Sequence, residues 1–137
     1  MSTKTALTIV IFFLLTGCGV HNQLNITNSK TFQSISKNKY SPHSKKVYVT
    51  RHNLPDTVQY EVLGTLEVGK VLYGTSDDAL QSIADMARKI GADGVIRIQT
   101  WTQTSPLNLF TPHGSGTAIK LKNPEDFDWS TLPGFWK

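Results

Sequence analysis

An apolar run near the amino terminus limits how much of this chain is available to fold. Nearly every side chain from Ala6 to Leu15 is apolar, and Lys4 supplies one positive charge before the run. The run is about ten residues long, as in a secretory signal, whereas a membrane-spanning helix needs roughly 20. A core helix would also keep one polar face, which this run lacks. We therefore expect residues 1–17 to be a signal peptide, and their removal leaves 120 of 137 residues for one domain.

The four residues that end this run are Leu15-Thr16-Gly17-Cys18. They resemble the bacterial lipobox, in which the cysteine receives a diacylglyceryl group and the new amino terminus is acylated. The resemblance implies lipidation of Cys18, and more than one acyl chain holds a protein stably on a membrane. By analogy with lipoprotein sorting in Gram-negative bacteria, Gly19 in place of aspartate favours the outer membrane, with the domain facing the periplasm.

Cysteine and histidine usage restricts the chemistry of the mature protein. Cys18 is the only cysteine, so no internal disulfide forms although the compartment is oxidising. The histidines lack the spacing of metal ligands, and we expect neither a metal site nor a cofactor. These histidines are His21, His43, His52 and His113.

Charge is distributed unevenly along the chain. Residues 18–46 are polar after the lipidated cysteine and contain five lysines but no acidic residue, which predicts a flexible, basic tether. From Val47 onward, ten acidic residues exceed eight basic ones. Because the basic residues are not concentrated on structured elements, we expect no nucleic-acid binding. The tether lysines either lie on anionic headgroups or an acidic partner, or only keep a linker solvated, and both interpretations stay open.

Hydrophobic periodicity predicts four strands and one helix over residues 47–122. The strands are expected at Lys46–Arg51, Tyr60–Val71, Val95–Thr104 and Thr117–Lys122. The large apolar residues of the second strand are expected on one face, at Tyr60, Val62, Leu66 and Val68. Gly64 and Gly69 within this strand indicate a β-bulge or a close backbone approach.

The helix is predicted from Thr75 to Ile90. Thr75 or Ser76 suits its amino-terminal cap, and Gly91 is placed to end it. An apolar stripe at helical spacing is expected to face the core, and it comprises Leu80, Ile83, Ala84, Ala87 and Ile90. The element order β-β-α-β-β predicts a small α+β domain with one helix packed on a mixed or antiparallel sheet.

Several runs of this domain resemble a family of envelope proteins. They are VYVTR, LP and YEVLGTLEV within residues 47–68, then Gly91-Ala92-Asp93-Gly94-Val95-Ile96 and Gly116-Thr117-Ala118. The resemblance is to the Rcs stress-sensor outer-membrane lipoproteins (RcsF-like) and the wider YbjQ-like family. It implies a lipid-anchored periplasmic domain that monitors the envelope and relays stress to an inner-membrane partner. This chain lacks the cysteines of the two disulfides found in the Rcs sensor, so a shared fold is better supported than a shared role.

Two segments are candidates for binding a partner protein. The first is a predicted loop, Ser105–Gly114, whose apolar side chains are Leu107, Leu109 and Phe110. The second is an aromatic tail, Asn123–Lys137, which carries Phe127, Trp129, Phe135 and Trp136. Packing of either segment on its own domain is the alternative, and for the tail we favour docking on a partner.

No arrangement of residues indicates catalysis. Asp77 and Asp78 occupy helix-start positions, where capping is their expected role. An enzyme would need a concave site with convergent polar groups, and its weak support is Gln99, Trp101 and Gln103 on one strand face. We expect a non-enzymatic, lipid-anchored binding or adaptor protein, with a structural subunit of an envelope assembly, such as a secretion system, as the alternative. The oligomeric state cannot be read from the sequence.

Overall fold

One α-helix packs on a six-stranded mixed sheet, which confirms the predicted α+β class. The computed structural model describes residues 29–70, 74–105 and 108–137, and for Ser105, Asn108, Leu109 and Asp126 it describes the backbone alone. The predicted signal peptide and Cys18 lie outside the described residues. Within them, no helix has the length and hydrophobicity required to cross a membrane.

The strands pair in the order β1-β3-β5-β4-β2-β6. Neighbours are antiparallel except β2 and β4, which are parallel. The bounds of the strands are Ser29–Ser34 (β1), Tyr48–Val49 (β2), Tyr60–Gly69 (β3), Gly94–Ser105 (β4), Asn108–Leu121 (β5) and Phe135–Trp136 (β6). Two short 3-10 helices, Pro124–Asp126 and Trp129–Thr131, lie between β5 and β6.

The helix α1 spans Ser76–Lys89, which confirms the predicted element. Thr75 caps it: its side chain accepts from the Asp78 amide, and the Asp78 carboxylate accepts from the Thr75 amide. The predicted stripe faces the sheet, with Ile83, Ala84 and Ala87 fully buried. Gly91 follows the helix with a φ of 75°, a conformation that glycine adopts without strain.

The predicted tether is wrong for residues 29–46, which are part of the folded domain. β1 pairs with β3 along six residues, from Ser29 with Gly69 to Ser34 with Gly64. Beyond β1, the His43 amide donates to the Arg88 carbonyl at 3.2 Å, which satisfies one of the open carbonyls at the end of α1. All six β1 side chains are exposed, so backbone pairing with β3 orders this strand, whereas Tyr40 further along the segment packs against the apolar core.

Two β-bulges distribute the apolar side chains over both faces of the sheet. The register of β3 against β5 shifts between Val62 and Gly64, and that of β4 shifts between Ile96 and Gln99, around Arg97 with its φ of 54°. The prediction of one apolar face on β3 is therefore wrong. Leu66 and Val68 pack on the helix side, whereas Tyr60 and Val62 pack on the opposite side.

The two faces support two hydrophobic clusters. The first lies between the sheet and α1 and contains Val49, Leu66, Ile83 and Val95. The second lies on the other face, where Ile96 and Ile119 are covered by the chain after β5, including Trp129. β6 then pairs with β2, so the tail, which we expected to dock on a partner, returns to its own sheet.

The predicted loop Ser105–Gly114 is also wrong for most of its length. Residues 108–114 belong to β5, which pairs with β4 from Ser105 with Asn108 down to Gly94 with Ile119. Proline and glycine in this stretch suggested a loop, but Pro112 lies opposite Thr102 in the ladder, and its carbonyl accepts from the Lys70 amide at 3.0 Å. The segment is thus one arm of a long β-hairpin.

Replacing Gly91 by alanine should destabilise the domain. A Cβ atom there would lie 2.5 Å from Tyr40 Cβ and 2.8 Å from the Ser41 carbonyl oxygen, and the positive φ would add backbone strain. We expect Gly91→Ala to lower the free energy of unfolding by about 1–3 kcal/mol in urea denaturation. Gln81→Ala, at an exposed helix position, should change it by less than about 0.5 kcal/mol. Equal effects of the two substitutions would contradict the close approach of residues 40 and 41 to the helix end.

Candidate functional site

The first candidate surface is the outer part of the β4–β5 hairpin. The last pair between β3 and β5 is Gly69 with His113, whereas β4 and β5 remain paired out to Ser105 with Asn108. The hairpin therefore projects beyond the end of β3. We call the described residues 100–105 and 108–113 of this hairpin the hairpin extension.

The hairpin extension is uncharged and exposes aromatic rings. No Asp, Glu, Lys or Arg occurs between Ile98 and Ile119. Trp101 stacks on His113 with ring centroids 5.6 Å apart and is 39% exposed, and Phe110 is 68% exposed. An aromatic ring of this exposure on an uncharged projection is suited to insertion into an apolar pocket of a partner. The enzyme alternative gains no converging groups here, because Gln99 and Gln103 are exposed on the same arm.

The second candidate surface is the tail, and the structure separates its four aromatic residues. Trp129 is 9% exposed and packs among Tyr48, Phe127 and Trp136, each with a ring centroid within 6.1 Å of its own. The prediction of Trp129 as a partner contact is therefore corrected: its ring fills the second hydrophobic cluster. Phe127 is half-buried in the same cluster.

The end of the tail keeps exposed aromatic surface. Phe135 is 40% and Trp136 is 48% exposed. Both residues are held by antiparallel pairing with β2. The chain just before them is fixed as well: the Tyr48 hydroxyl donates to the Leu132 carbonyl at 2.6 Å, and the Thr50 hydroxyl donates to the Pro133 carbonyl at 2.7 Å. Of the predicted tail contacts, these two remain available to a partner.

The third candidate surface lies where residues 34–46 cross the end of the sheet. A folded surface at these residues was not predicted from the sequence. An open groove of about 370 Å³ is lined by Phe32, Leu63 and Ile90, with Lys37, Lys39 and Lys89 among the other lining residues. A neighbouring groove of about 470 Å³ is lined by Lys45, Lys46, Lys120, Asp93 and Trp136, among others. The five lysines of residues 29–46 were the only signal in the sequence, and they were assigned to a flexible segment.

A carboxylate fixes the chain beside the first groove. Glu61 accepts hydrogen bonds from the Ser36 hydroxyl, from the Asn38 amide at 2.9 and 3.1 Å, and from the Tyr40 hydroxyl at 2.5 Å. These bonds, led by the one from Ser36, hold the pKa of Glu61 below its ordinary value, because they favour the charged form. Acceptance by Glu61 raises the pKa of the Tyr40 hydroxyl. The ionised carboxylate thus organises residues 36–40.

Other predicted chemical groups have structural roles. Asp78 caps α1, and Asp77 forms an ion pair with Lys137, so the two carboxylates do not act together. His43 donates from Nε2 to the Ala92 carbonyl at 2.7 Å, which leaves its buried Nδ1 without a partner in the described part of the chain. Among the described residues, no three His, Cys, Asp or Glu side chains are grouped to hold a metal ion.

The remaining predicted contacts cannot be placed. Leu107 and the lipidation site Cys18 lie outside the described residues, and for Leu109 only the backbone, within β5, is described. Of the predicted site residues with described side chains, Phe110 belongs to the hairpin extension and the four others to the tail. The structure does not bring the two predicted segments into a single site.

Comparison with known proteins gives little similarity. Neither a protein-family model nor a curated protein matches the chain. A crystal structure of the Francisella virulence factor FvfA, in its orthorhombic form, is similar to it with a TM-score of 0.49 and 16% sequence identity. The match covers 67% of this chain and 97% of FvfA. We draw no functional conclusion from a similarity of this extent.

Replacing each of the two tail tryptophans by alanine should show which ring stabilises the fold and which is mainly a surface group. Trp129→Ala removes a buried ring and should lower the free energy of unfolding by about 3–5 kcal/mol. Trp136→Ala removes a ring that is 48% exposed, and we expect a loss of about 1–2 kcal/mol. Chemical denaturation of both variants measures the difference. A larger loss for Trp136→Ala would contradict the assignment of Trp129 to the second cluster.

Acid should release the amino-terminal segment from the sheet. Because the pKa of Glu61 is lowered in the folded state, its stabilising effect is present at neutral pH. That effect is lost as the pH falls below about 4.5, the ordinary pKa of glutamate, and through the lowered value. The protection factor of the Ile35 amide against hydrogen exchange, an amide that donates to the Leu63 carbonyl, should fall in this range more than that of the Ile98 amide in the sheet. Glu61→Gln should exchange faster at Ile35 at pH 7 and lose this pH dependence. An unchanged Ile35 rate in that variant would refute the role of Glu61.

Proposed function

We propose that this protein is a non-enzymatic, lipid-anchored binding or adaptor protein of the bacterial envelope, held at the outer membrane through Cys18 with its domain in the periplasm. The observation that carries the binding role is the hairpin extension, an uncharged projection on which Phe110 is 68% exposed. Large aromatic side chains are enriched among the residues that anchor protein–protein contacts. The lipobox residues Leu15–Cys18 support the anchoring.

The mechanism is binding under confinement to a membrane. Residues 19–28 separate the lipidated cysteine from Ser29, the first described residue of β1. A chain of this length reaches about 40 Å when fully extended. Anchoring would confine the domain to a thin layer beside the membrane, which raises the effective concentration of the hairpin extension for any partner in the same membrane. The anchor therefore supplies the location, and the domain supplies the contact.

Stress sensing is the specific role that the Rcs-sensor resemblance implies, and it stays a prediction. A sensor makes transient contacts, for which one modest aromatic projection is sufficient. The alternative is a structural subunit of an envelope assembly. The second exposed pair, Phe135 and Trp136, favours it, because two separate aromatic surfaces would allow the domain to bridge two subunits.

In-cell photo-crosslinking tests the binding role. A photoreactive amino acid is placed at Phe110, at Trp136 and at Gln81 in the full chain with its lipidation signal intact. We expect capture of one defined envelope protein from Phe110, or from Trp136, and none from Gln81, an exposed helix position outside both surfaces that serves as the matched control. Signalling proteins among the captured partners favour the sensor, and stoichiometric assembly subunits favour the structural role.

The same crosslinking experiment can also reject the binding role. Absence of capture from both Phe110 and Trp136, with the protein correctly localised, would reject the binding role. Anchoring is tested separately by Cys18→Ala, which should abolish metabolic labelling of the protein by a fatty-acid analogue. Labelling that persists in this variant would reject the lipid attachment at Cys18.

A further inference from the structure

Lysines from distant parts of the chain gather at one end of the sheet. Residues 34–46 cross this end on their way from the edge strand β1 to β2, and α1 and β5 also terminate there. The lysines that line the two grooves belong to these elements, and we call them together the basic face: Lys37, Lys39, Lys45, Lys46, Lys89 and Lys120.

Positive charge on the basic face is largely uncompensated. Asp93 is the one acidic residue among the residues lining the two grooves, and it forms an ion pair with Lys120 at 2.7 Å. Glu61, beside the first groove, is occupied by Ser36, Asn38 and Tyr40. The Tyr40 ring lies 5.5 Å from the Lys120 ammonium group and links the two grooves into a continuous surface.

Apolar and aromatic groups are interleaved with these lysines. The floor of the first groove includes Phe32, which is 37% exposed, and Ile90. At the far side of the second groove, Trp136 is 48% exposed. Lysines beside partly exposed aromatic rings are a combination found where proteins meet the headgroup layer of a bilayer.

The basic face and the hairpin extension lie at opposite ends of the sheet. β3 enters at Tyr60 beside the basic face and ends at Gly69, from which the hairpin extension projects. Ser29, the first described residue of β1, is also at the hairpin end, one β1 length from the basic face. That length is about 20 Å for six residues, which the extended length of about 40 Å between Cys18 and Ser29 can cover.

We propose that the basic face docks on anionic phospholipid headgroups of the membrane that holds the lipid anchor, so that the hairpin extension points away from that membrane. The inference rests on the proposed anchoring at Cys18. An acidic protein would also suit the charge, but the membrane is the polyanion that the anchor keeps within reach. Docking gives the domain a fixed orientation, in which Phe110 is presented to partners across the periplasm.

Site-specific fluorescence on the lipidated full chain tests the orientation. Because Cys18 is the only cysteine and is acylated, Ser34→Cys and Thr102→Cys each introduce one free thiol for an environment-sensitive dye. Ser34 is exposed in the first groove, and Thr102 is exposed on the hairpin extension. The labelled proteins are reconstituted into phosphatidylcholine vesicles with or without about 30% phosphatidylglycerol. A lipid-bound quencher reports contact of the dye with the bilayer.

We expect the dye at residue 34 to shift to the blue and to be quenched in the anionic vesicles, and the dye at residue 102 to show neither change. Lys37→Glu combined with Lys39→Glu should lower the ratio of docked to undocked protein on the order of tenfold or more. Lys30→Glu with Arg51→Glu, the same charge change outside the basic face, is the matched control and should leave the ratio within about threefold. Salt at 0.5 M (about a 4 Å screening length) should release the domain.

Each other outcome overturns the inference. Equal signals in zwitterionic and anionic vesicles, a signal at residue 102 in place of residue 34, or equal losses in both charge-reversal variants would each reject docking through the basic face. Capture of an acidic protein by the basic face in cells, without a fluorescence signal in vesicles, would show that this protein and not the membrane is the docking partner. A failure of the proposed anchoring can be told apart from a failure of docking before the fluorescence measurement. Without acylation, the unsubstituted chain would react with the dye at Cys18 and would not co-float with vesicles in a density gradient.

Discussion

The central strands carry apolar side chains on both faces, whereas the described chain offers a single α-helix to cover them. The β-bulges around Leu63 and Arg97 create this situation, because each shifts the side-chain alternation within one strand. The residues after β5 therefore act as the second layer, with Trp129 as their largest buried side chain. A chain without disulfides among its described residues gains a second cluster in this way and compensates for its small size.

The local parts of the fold could be predicted from the sequence. The helix was found because Thr75, Asp78 and Gly91 mark its ends and its apolar stripe has a period of 3.6. The order of four strands was found because their apolar residues alternate. β1 was missed because an edge strand with six exposed side chains has no apolar pattern, and only its backbone pairing with β3 orders it. Gly64 indicated the bulge in β3, whereas the bulge in β4 at Arg97 was not predicted, and the effect of both on the two faces depends on register.

The candidate surfaces were predicted less completely, for related reasons. Phe110 and Trp136 stood out as aromatic residues in polar surroundings, and both are exposed. Trp129 had the same local signal, yet contacts with Tyr48, 81 positions earlier in the sequence, bury it. The basic face was recognisable only as a set of lysines, since its members come from residues 37–46, α1 and β5 and meet through the fold. The composition of the chain therefore revealed an excess of lysine, but only the topology of the fold shows that these lysines lie on one surface.

The edge position of β1 has a mechanical consequence. β1 is bonded to one neighbour, β3, and its first described pair is Ser29 with Gly69. Tension on the chain at Ser29 would therefore open the ladder by peeling, one pair of hydrogen bonds after another, and would not have to shear all of them together. Because β1 contributes little to either cluster, the helix and the remaining strands would stay folded. Such tension would thus uncover the edge of β3 as a new pairing surface. If the proposed anchor at Cys18 transmits the tension, exposure of this edge would report the force between the membrane and the domain.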